Sequence, residues 1–285
     1  MTDRESSGQT KETKTKEIVC QGCGRSFQGE VSIFRLFGKT REIRPRECPE
    51  CQEAREVEER RLAEEERRLQ QLKTKLMWRR SCGIPEYLQE KTFANFDWHF
   101  QRTVYNAVKN WAEQFSIEAA RGYPSLILCS EGYGQGKTHL AVAACNTVID
   151  SWNGDPEHVI CPIRFESGPG LVRRIRATYN IPPNQPYHET EETVYNQLRG
   201  AKLLVLDDVG KEKPSAHTRE VYFYIIDERL KLGLPVLITS NLPLEGPESL
   251  EELMGGATVS RLIGMCQGNC FVLKGDDFRR RKKKP

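Results

Sequence analysis

Three short apolar runs stand out along the chain: Leu126-Ile127-Leu128-Cys129, Leu203-Leu204-Val205-Leu206 and Val236-Leu237-Ile238-Thr239. Each is bounded by turn or charged residues and separated from the next by stretches of helical character, the pattern of buried parallel strands in an α/β sheet. Val159 to Glu166 and Cys270 to Lys274 are weaker strand candidates. Together they predict a doubly wound, three-layer α/β core that starts near Cys82. Upstream the pattern changes. From Glu53 to Arg80 the chain is dominated by Glu, Arg, Leu and Gln with neither Gly nor Pro, which predicts one helix roughly 40 Å long. Leu62, Leu69 and Leu76 recur at heptad spacing with Leu72 offset between them, a thin stripe in which Glu65 stands where a fourth Leu would strengthen it. A solvated linker helix is favoured over a coiled coil.

Before this helix lie two cysteine pairs, Cys20-Gln21-Gly22-Cys23 and Cys48-Pro49-Glu50-Cys51, with 24 residues between them. This is zinc-ribbon spacing: each pair points two thiolates at one ion, Gly22, Gly24 and Pro49 help the tight turns, and four thiolates complete a tetrahedron. The intervening Phe27, Val31, Ile33, Phe34, Leu36 and Phe37 are too few to stabilise a fold without the metal. A redox dithiol and four unrelated cysteines are the rival readings, and the doubling of the motif favours structural Zn2+.

Composition narrows the class. At ~150 residues per domain, 285 residues make about two domains. With 38% hydrophobic and 29% charged residues, a disordered or collagen-like chain is excluded. No apolar run approaches the roughly 18 residues of a membrane span. Met1 to Glu17 is polar and lacks the apolar stretch of a secretory signal, so a cytoplasmic protein is expected. The formal net charge is +3, but six basic residues sit in the block Arg279 to Lys284. Without that block the chain carries an excess of acid, so the charge reports a tail and says nothing of a basic face elsewhere.

The chemistry concentrates after the first strong strand, in Glu131-Gly132-Tyr133-Gly134-Gln135-Gly136-Lys137-Thr138-His139-Leu140-Ala141. This reads as a P-loop. Its glycines let successive N–H groups face phosphate oxygens, and the helix starting near Lys137 adds its positive end. Lys137 is expected to reach the β- and γ-phosphates of ATP and Thr138 to ligate Mg2+, with Gly132, Gly134, Gln135, Gly136 and His139 completing the nucleotide-binding set. The strict pattern has Gly where this chain has Glu131, so the match is Gly-x-Gly-x-Gly-Lys-Thr.

Leu203 to Leu206 runs into Asp207-Asp208, a buried strand ending in acid. Asp207 is expected to serve Mg2+ beside Thr138, and Asp208 to polarise the attacking water. A Glu at the second place is common, and Asp is shorter by about 1.5 Å of reach, so slow hydrolysis is expected. The third strand ends in Thr239-Ser240-Asn241, which puts Asn241 beside the γ-phosphate as a sensor. Arg261 is the candidate for an arginine lent to a neighbouring subunit's γ-phosphate, which implies a homo-oligomer, and Arg279 for a sensor acting from the C-terminal end.

These residues resemble the AAA+ ATPases of the DnaC/DnaI helicase-loader group, with the IstB transposition ATPases as close kin. The resemblance spans Cys82 to Arg280 and includes Gly83-Ile84-Pro85, Thr92-Phe93-Ala94-Asn95-Phe96, Lys137-Thr138-His139-Leu140-Ala141, Thr239-Ser240-Asn241-Leu242-Pro243 and Lys274-Gly275-Asp276-Asp277-Phe278-Arg279. It implies an AAA+ P-loop core with a parallel sheet, preceded here by a small zinc ribbon and a linker helix. The implied function is a loader that uses ATP state to place a replicative ring helicase on single-stranded DNA, the ribbon and linker gripping the helicase. Glu131 and Asp208 depart from the commonest ATP-site residues, which bears on turnover more than on binding. In the family a helix after the second strand helps contact single-stranded DNA. Here that place is held by Gly170 to Tyr179, with Arg173, Arg174 and Arg176 for phosphates and Tyr179 for stacking a base. The apolar Leu171, Val172 and Ile175 of the same stretch suit packing on the core.

The expected organisation is a zinc ribbon over 18–52, a helical linker over 53–80, an ATPase domain over 81–280 and a basic tail over 281–285; for the Arg279 to Lys284 block, attraction for DNA is favoured over a role in solubility alone. Two other functions use the same parts. One is a transposition ATPase working with a transposase; the other is a nucleic-acid-binding module in which zinc and ATP are ligands with little turnover.

Overall fold

A computed structural model describes residues 10–36, 39–156, 160–180 and 189–280. Phe37, Val159, the first nine residues and the basic tail from 281 on lie outside the described residues. The chain divides into two compact units, Met1–Gln70 and Gln71–Pro285.

The first unit is a three-stranded antiparallel sheet of β1 (Thr10–Val19), β2 (Ser26–Leu36) and β3 (Lys39–Ile43) in the order β1-β2-β3. Its register is set by Val19 opposite Ser26 at the cysteine turn and by Ser32 opposite Ile43. Among its described residues the buried apolar side chains are Val31, Ile33, Cys20 and Cys48. The helix predicted over 53–80 runs as α1 (Pro49–Ser81). It begins earlier than predicted because Pro49, with φ already fixed near the helical value and no N–H to lose, opens the first turn. The second cysteine pair therefore straddles a helix start, where a tight turn was expected. Along α1, Arg55 pairs with Glu59 at 2.7 Å and Arg61 with Glu58 at 2.6 Å, solvent-screened contacts that add little to stability on an exposed helix. Leu62, Leu69, Leu72 and Leu76 are each about half exposed, as a solvated helix requires.

The second unit takes in the end of α1 from Gln71 onward. It continues with α2 (Arg102–Gln114), β4 (Leu126–Cys129), α3 (Lys137–Ser151), β5 (Ile163–Ser167) and α4 (Gly168–Ala177). Then follow α5 (Glu191–Gly200), β6 (Leu203–Val209), α6 (Ala216–Leu232), β7 (Val236–Ser240), α7 (Leu250–Met254), α8 (Gly256–Cys266) and β8 (Cys270–Val272). The sheet order is β5-β6-β7-β4-β8, every neighbouring pair parallel.

Alternation along these strands divides the core. Leu126, Leu128, Leu203, Val205 and Leu237 pack with α2 and α3 on one face, while Ile127, Cys129, Leu204, Leu206, Val236 and Ile238 pack with α4, α5, α6, α7 and α8 on the other. The three layers follow from a sheet that is apolar on both faces. Side-chain caps fix where the helices begin: Ser167 accepts from Gly170 N at α4, Thr190 from Thr193 N at α5 and Ser215 from Thr218 N at α6. The second unit is a three-layer α/β core of parallel strands. Among the described residues no helix is long and apolar enough to cross a membrane.

Candidate nucleotide site

The site assembles at the C-terminal ends of β4, β6 and β7, where open parallel sheets bind ligands. β4 delivers the loop Ser130 to Gly136, and α3 starts at Lys137. Gly136 makes the corner with φ +95°, and a Cβ there would lie 2.5 Å from the ring of Phe96, so only glycine lets the loop turn under that ring. Lys137 is buried. Its ammonium donates to Ser130 Oγ, to the Gly132 carbonyl at 3.3 Å and to Asn241 Oδ1 at 2.7 Å. Burial pulls its pKa down and the neighbouring carboxylates, Asp208 foremost, pull it back up.

β6 delivers the two acids at a break in its pairing with β7, where the register shifts between Leu206 and Val209. Asp207 accepts from Thr138 Oγ1 at 2.9 and 3.1 Å and from Thr239 Oγ1 at 2.6 Å. Burial raises its pKa against those hydroxyl contacts. Hydroxyl and carboxylate oxygens converging in this way are the hard donor set that Mg2+ prefers, so Thr138 and Asp207 fit that ion. Asp208 sits at φ +59°. Its N–H donates to Thr239 Oγ1 at 2.8 Å, its Oδ1 accepts from Asn241 Nδ2 at 3.0 Å and its Oδ2 pairs with Lys211. Asn241 thus links Lys137 to Asp208.

The segment before α2 closes the site from one side. His139 Nε2 donates to the Thr92 carbonyl at 2.9 Å, its ring packs edge-on against Phe96, and Asn146 Nδ2 on the same helix donates to the carbonyls of Gln89 and Lys91. Burial lowers the pKa of His139 and keeps it neutral, the form that suits this single donated bond. His139 therefore holds the lead-in segment over α3 while also lining the cavity. From the other side Phe278 N donates to the Gly134 carbonyl at 3.1 Å and Gln135 Nε2 to the Gly275 carbonyl at 2.6 Å. Between them lies a cavity of about 720 Å³ lined by Gly134, Gln135, Gly136, Lys137, Thr138 and His139, together with Asp207, Asp208, Lys211, Asn241 and Arg279. That volume falls in the range of small-molecule sites.

Arg261 stands elsewhere. On α8 it donates to the Ala257 carbonyl at 3.1 Å, faces Asp227 at 3.4 Å and lies over the Phe223 ring at 5.0 Å. On α4, Leu171, Val172 and Ile175 are buried while Arg173 and Arg176 are exposed. Arg174 differs from expectation: its guanidinium pairs with Glu166 at 2.5 Å and with Glu189, and donates to Gln197 Oε1 at 2.7 Å, so its charge is already matched within the fold. The Tyr179 hydroxyl donates to Glu191 at 3.1 Å and its ring, half exposed, meets His217 edge-on.

In the first unit the sulfurs of Cys20, Cys23, Cys48 and Cys51 all lie within 4.8 Å of one another, with Cys23 and Cys48 at 3.8 Å. Four thiolates at about 2.3 Å from one Zn2+ sit about 3.8 Å apart, so the cluster fits that ion. The N–H groups of Cys48 and Gly22 point at Cys20 Sγ at 3.2 and 3.3 Å, and the first of these does most to hold the Cys20 thiol down at about 6.

Sequence reasoning missed Ser130, Thr239 and Lys211 as members of the site. Thr239 was within reach, since it lies in the strand that ends at Asn241. Nothing in the local pattern marks Lys211, which reaches Asp208 by a turn that only the folded loop defines.

A family model described as IstB-like ATP binding protein matches residues 55–285. The chain is 26% identical over 182 residues to the replicative helicase loader DnaC of Buchnera aphidicola subsp. Schizaphis graminum, spanning 63% of this chain and 66% of that protein. It is 25% identical over 203 residues to the replicative helicase loader DnaC of Escherichia coli (strain K12), spanning 70% of this chain and 73% of that protein. Among solved structures, the DnaC helicase loader superposes with a TM-score of 0.50 at 21% identity, covering 66% of this chain and 98% of that one. At that identity the likeness establishes the fold.

Proposed function

The chain belongs to the IstB-like ATP binding protein family, and we propose that it acts as a replicative helicase loader, the description its DnaC relatives carry, binding and hydrolysing ATP to place a replicative ring helicase on single-stranded DNA. The observation that carries the ATP reading is the convergence of Lys137, the Thr138–Asp207 pair and the Asn241–Asp208 pair on one cavity. Lys137 and the N–H groups from Gly132 to Thr138 hold the phosphates. Thr138 and Asp207 hold Mg2+, which when bound neutralises phosphate charge. Asp208 orients and deprotonates the attacking water, and Asn241 and Arg279 read the terminal phosphate. Its short side chain and its two hydrogen-bonded oxygens support slow turnover.

In this reading Arg261, which lies outside its own cavity lining, serves the site of an adjacent copy in a homo-oligomer. Arg173 and Arg176 on α4 contact the DNA backbone, with Tyr179 free on one face to stack a base. The zinc ribbon over 18–52 and the linker over 53–80 form the helicase-gripping arm ahead of the ATPase domain over 81–280. The reading places the protein in the cytoplasm.

The test mixes the protein with its cognate ring helicase, ATP and circular single-stranded DNA. A helicase–DNA complex that requires ATP and is lost with Lys137→Ala is the expected result. Equal loading by that variant contradicts the mechanism. Recovery of a transposase and no helicase from the native host moves the same ATPase core to transposition.

A further inference from the structure

We propose that Lys211 is a γ-phosphate-reading cation of this site: its ammonium neutralises Asp208 and swings to the terminal phosphate of a bound nucleoside triphosphate, releasing one carboxylate oxygen. The proposal rests on the nucleotide reading of the cavity.

Three observations carry it. Lys211 lines the same cavity as Lys137 and Arg279. Its ammonium pairs with Oδ2 of Asp208, while Oδ1 accepts from Asn241, whose own carbonyl oxygen accepts from Lys137. These four side chains form one polar chain from the P-loop to the far side of the cavity, with a lysine at each end and a single carboxylate within it. A terminal phosphate entering between the lysines would meet the Asp208 charge, and one of the two cations has to offset that repulsion. Lys137 is buried and anchored, with Ser130 and Gly132 among its partners, whereas the Lys211 side chain is 53% exposed.

The third observation is how the loop is fixed. Gly210 turns at φ +112°, and a Cβ there would lie 2.6 Å from Leu242. Its N–H donates to Glu212 Oε2 at 3.2 Å, and Glu212 Oε1 in turn accepts from the hydroxyl of Tyr222, which is fully buried. The residues on both sides of Lys211 are therefore tied down. The backbone of Lys211 is held while its flexible four-carbon stem carries a mobile point charge. An ordinary exposed i,i+3 ion pair contributes little to stability, and it would not need an anchored loop. A trivalent or tetravalent phosphate chain competes for the ammonium more strongly than one carboxylate does.

The experiment compares ATP and ADP affinities, each with Mg2+, for the wild-type chain, Lys211→Ala, Lys211→Gln and Lys211→Arg. ATP affinity is expected to fall about tenfold in the Ala and Gln variants, the loss of one charge-assisted hydrogen bond, while ADP affinity stays within about twofold of wild type. Lys211→Arg, which keeps the charge, is expected to restore the preference for ATP. Lys211→Gln keeps the stem and guards against a folding defect in the Ala variant. An equal loss for ATP and ADP, or no loss for either, overturns the proposal while leaving the nucleotide reading standing. A wild-type chain that binds neither nucleotide overturns both.

Discussion

Asp208 shows how much one backbone angle can decide. At φ +59° it lies in the left-handed region, where Asp is among the few side chains tolerated at low cost. A longer Glu would lose that local advantage, so the shorter acid is the one that suits the bend. Arg229 presents the opposite case, a side chain whose role is entirely internal. It is fully buried, its guanidinium donates to the carbonyls of Leu198 at 2.7 Å, Ala201 at 3.0 Å and Pro235 at 2.7 Å, and burial pulls its pKa down. It closes the end of α5 and ties it to the turn before β7, where a cation also suits the negative end of the helix. Replacing it by Met takes the guanidinium donors away from those buried carbonyls, of which Pro235 keeps a bond from Leu204 N at 3.4 Å. Arg229→Met is expected to lower the stability of the chain by about 3 kcal/mol in urea unfolding, and a change below about 1 kcal/mol would contradict this role. Lys137, Thr138, Asp207 and Asn241 were legible in the sequence because loop and strand-end motifs place them at fixed positions. Arg229, Ser130 and Lys211 were not, because each finds its partners across the fold with no spacing to announce them.

Among the elements, the strong strands were read to within a residue at their starts: β4, β6 and β7 begin at Leu126, Leu203 and Val236. Continuous apolar runs between helices leave few alternatives. The weaker strands were overextended, and β8 stops at Val272 because the chain leaves the sheet to reach the P-loop, where Phe278 N meets the Gly134 carbonyl. The start of α1 was placed too late, since the helix-initiating property of Pro49 was assigned to a cysteine turn. In the zinc reading the first sheet is the element set most dependent on a ligand. With Val31 and Ile33 as its buried aliphatic side chains among the described residues, it has too small a core to hold three strands without the metal. Chelation of Zn2+ from the full chain is expected to release about one ion per chain and to remove the amide-exchange protection of β1 and β2 while ATP uptake persists. Protection of those strands that survives complete metal removal would contradict a metal-dependent ribbon.

At the scale of the whole molecule, strand order, site position and partner arrangement form one argument. The order β5-β6-β7-β4-β8 puts β4, the strand that feeds the P-loop, between β7 and β8. Asn241 at the end of β7 and the segment after β8 therefore flank that loop from both sides, and Asp207 and Asp208 lie one strand further on. Strand order was beyond reach of the sequence, because nothing in an apolar run says which other run lies beside it. The place of Arg261 on α8, outside its own cavity lining, belongs to the same scale, since a trans role is a statement about copies of the chain. All of these roles require that the loop from Gly132 to Thr138 hold ATP. Equilibrium titration of the purified zinc-loaded chain with labelled ATP and Mg2+ tests this most directly. The account predicts saturable uptake near one nucleotide per chain, reduced at least tenfold by Lys137→Ala; no saturable uptake by the wild-type chain, or undiminished uptake by the variant, would contradict it.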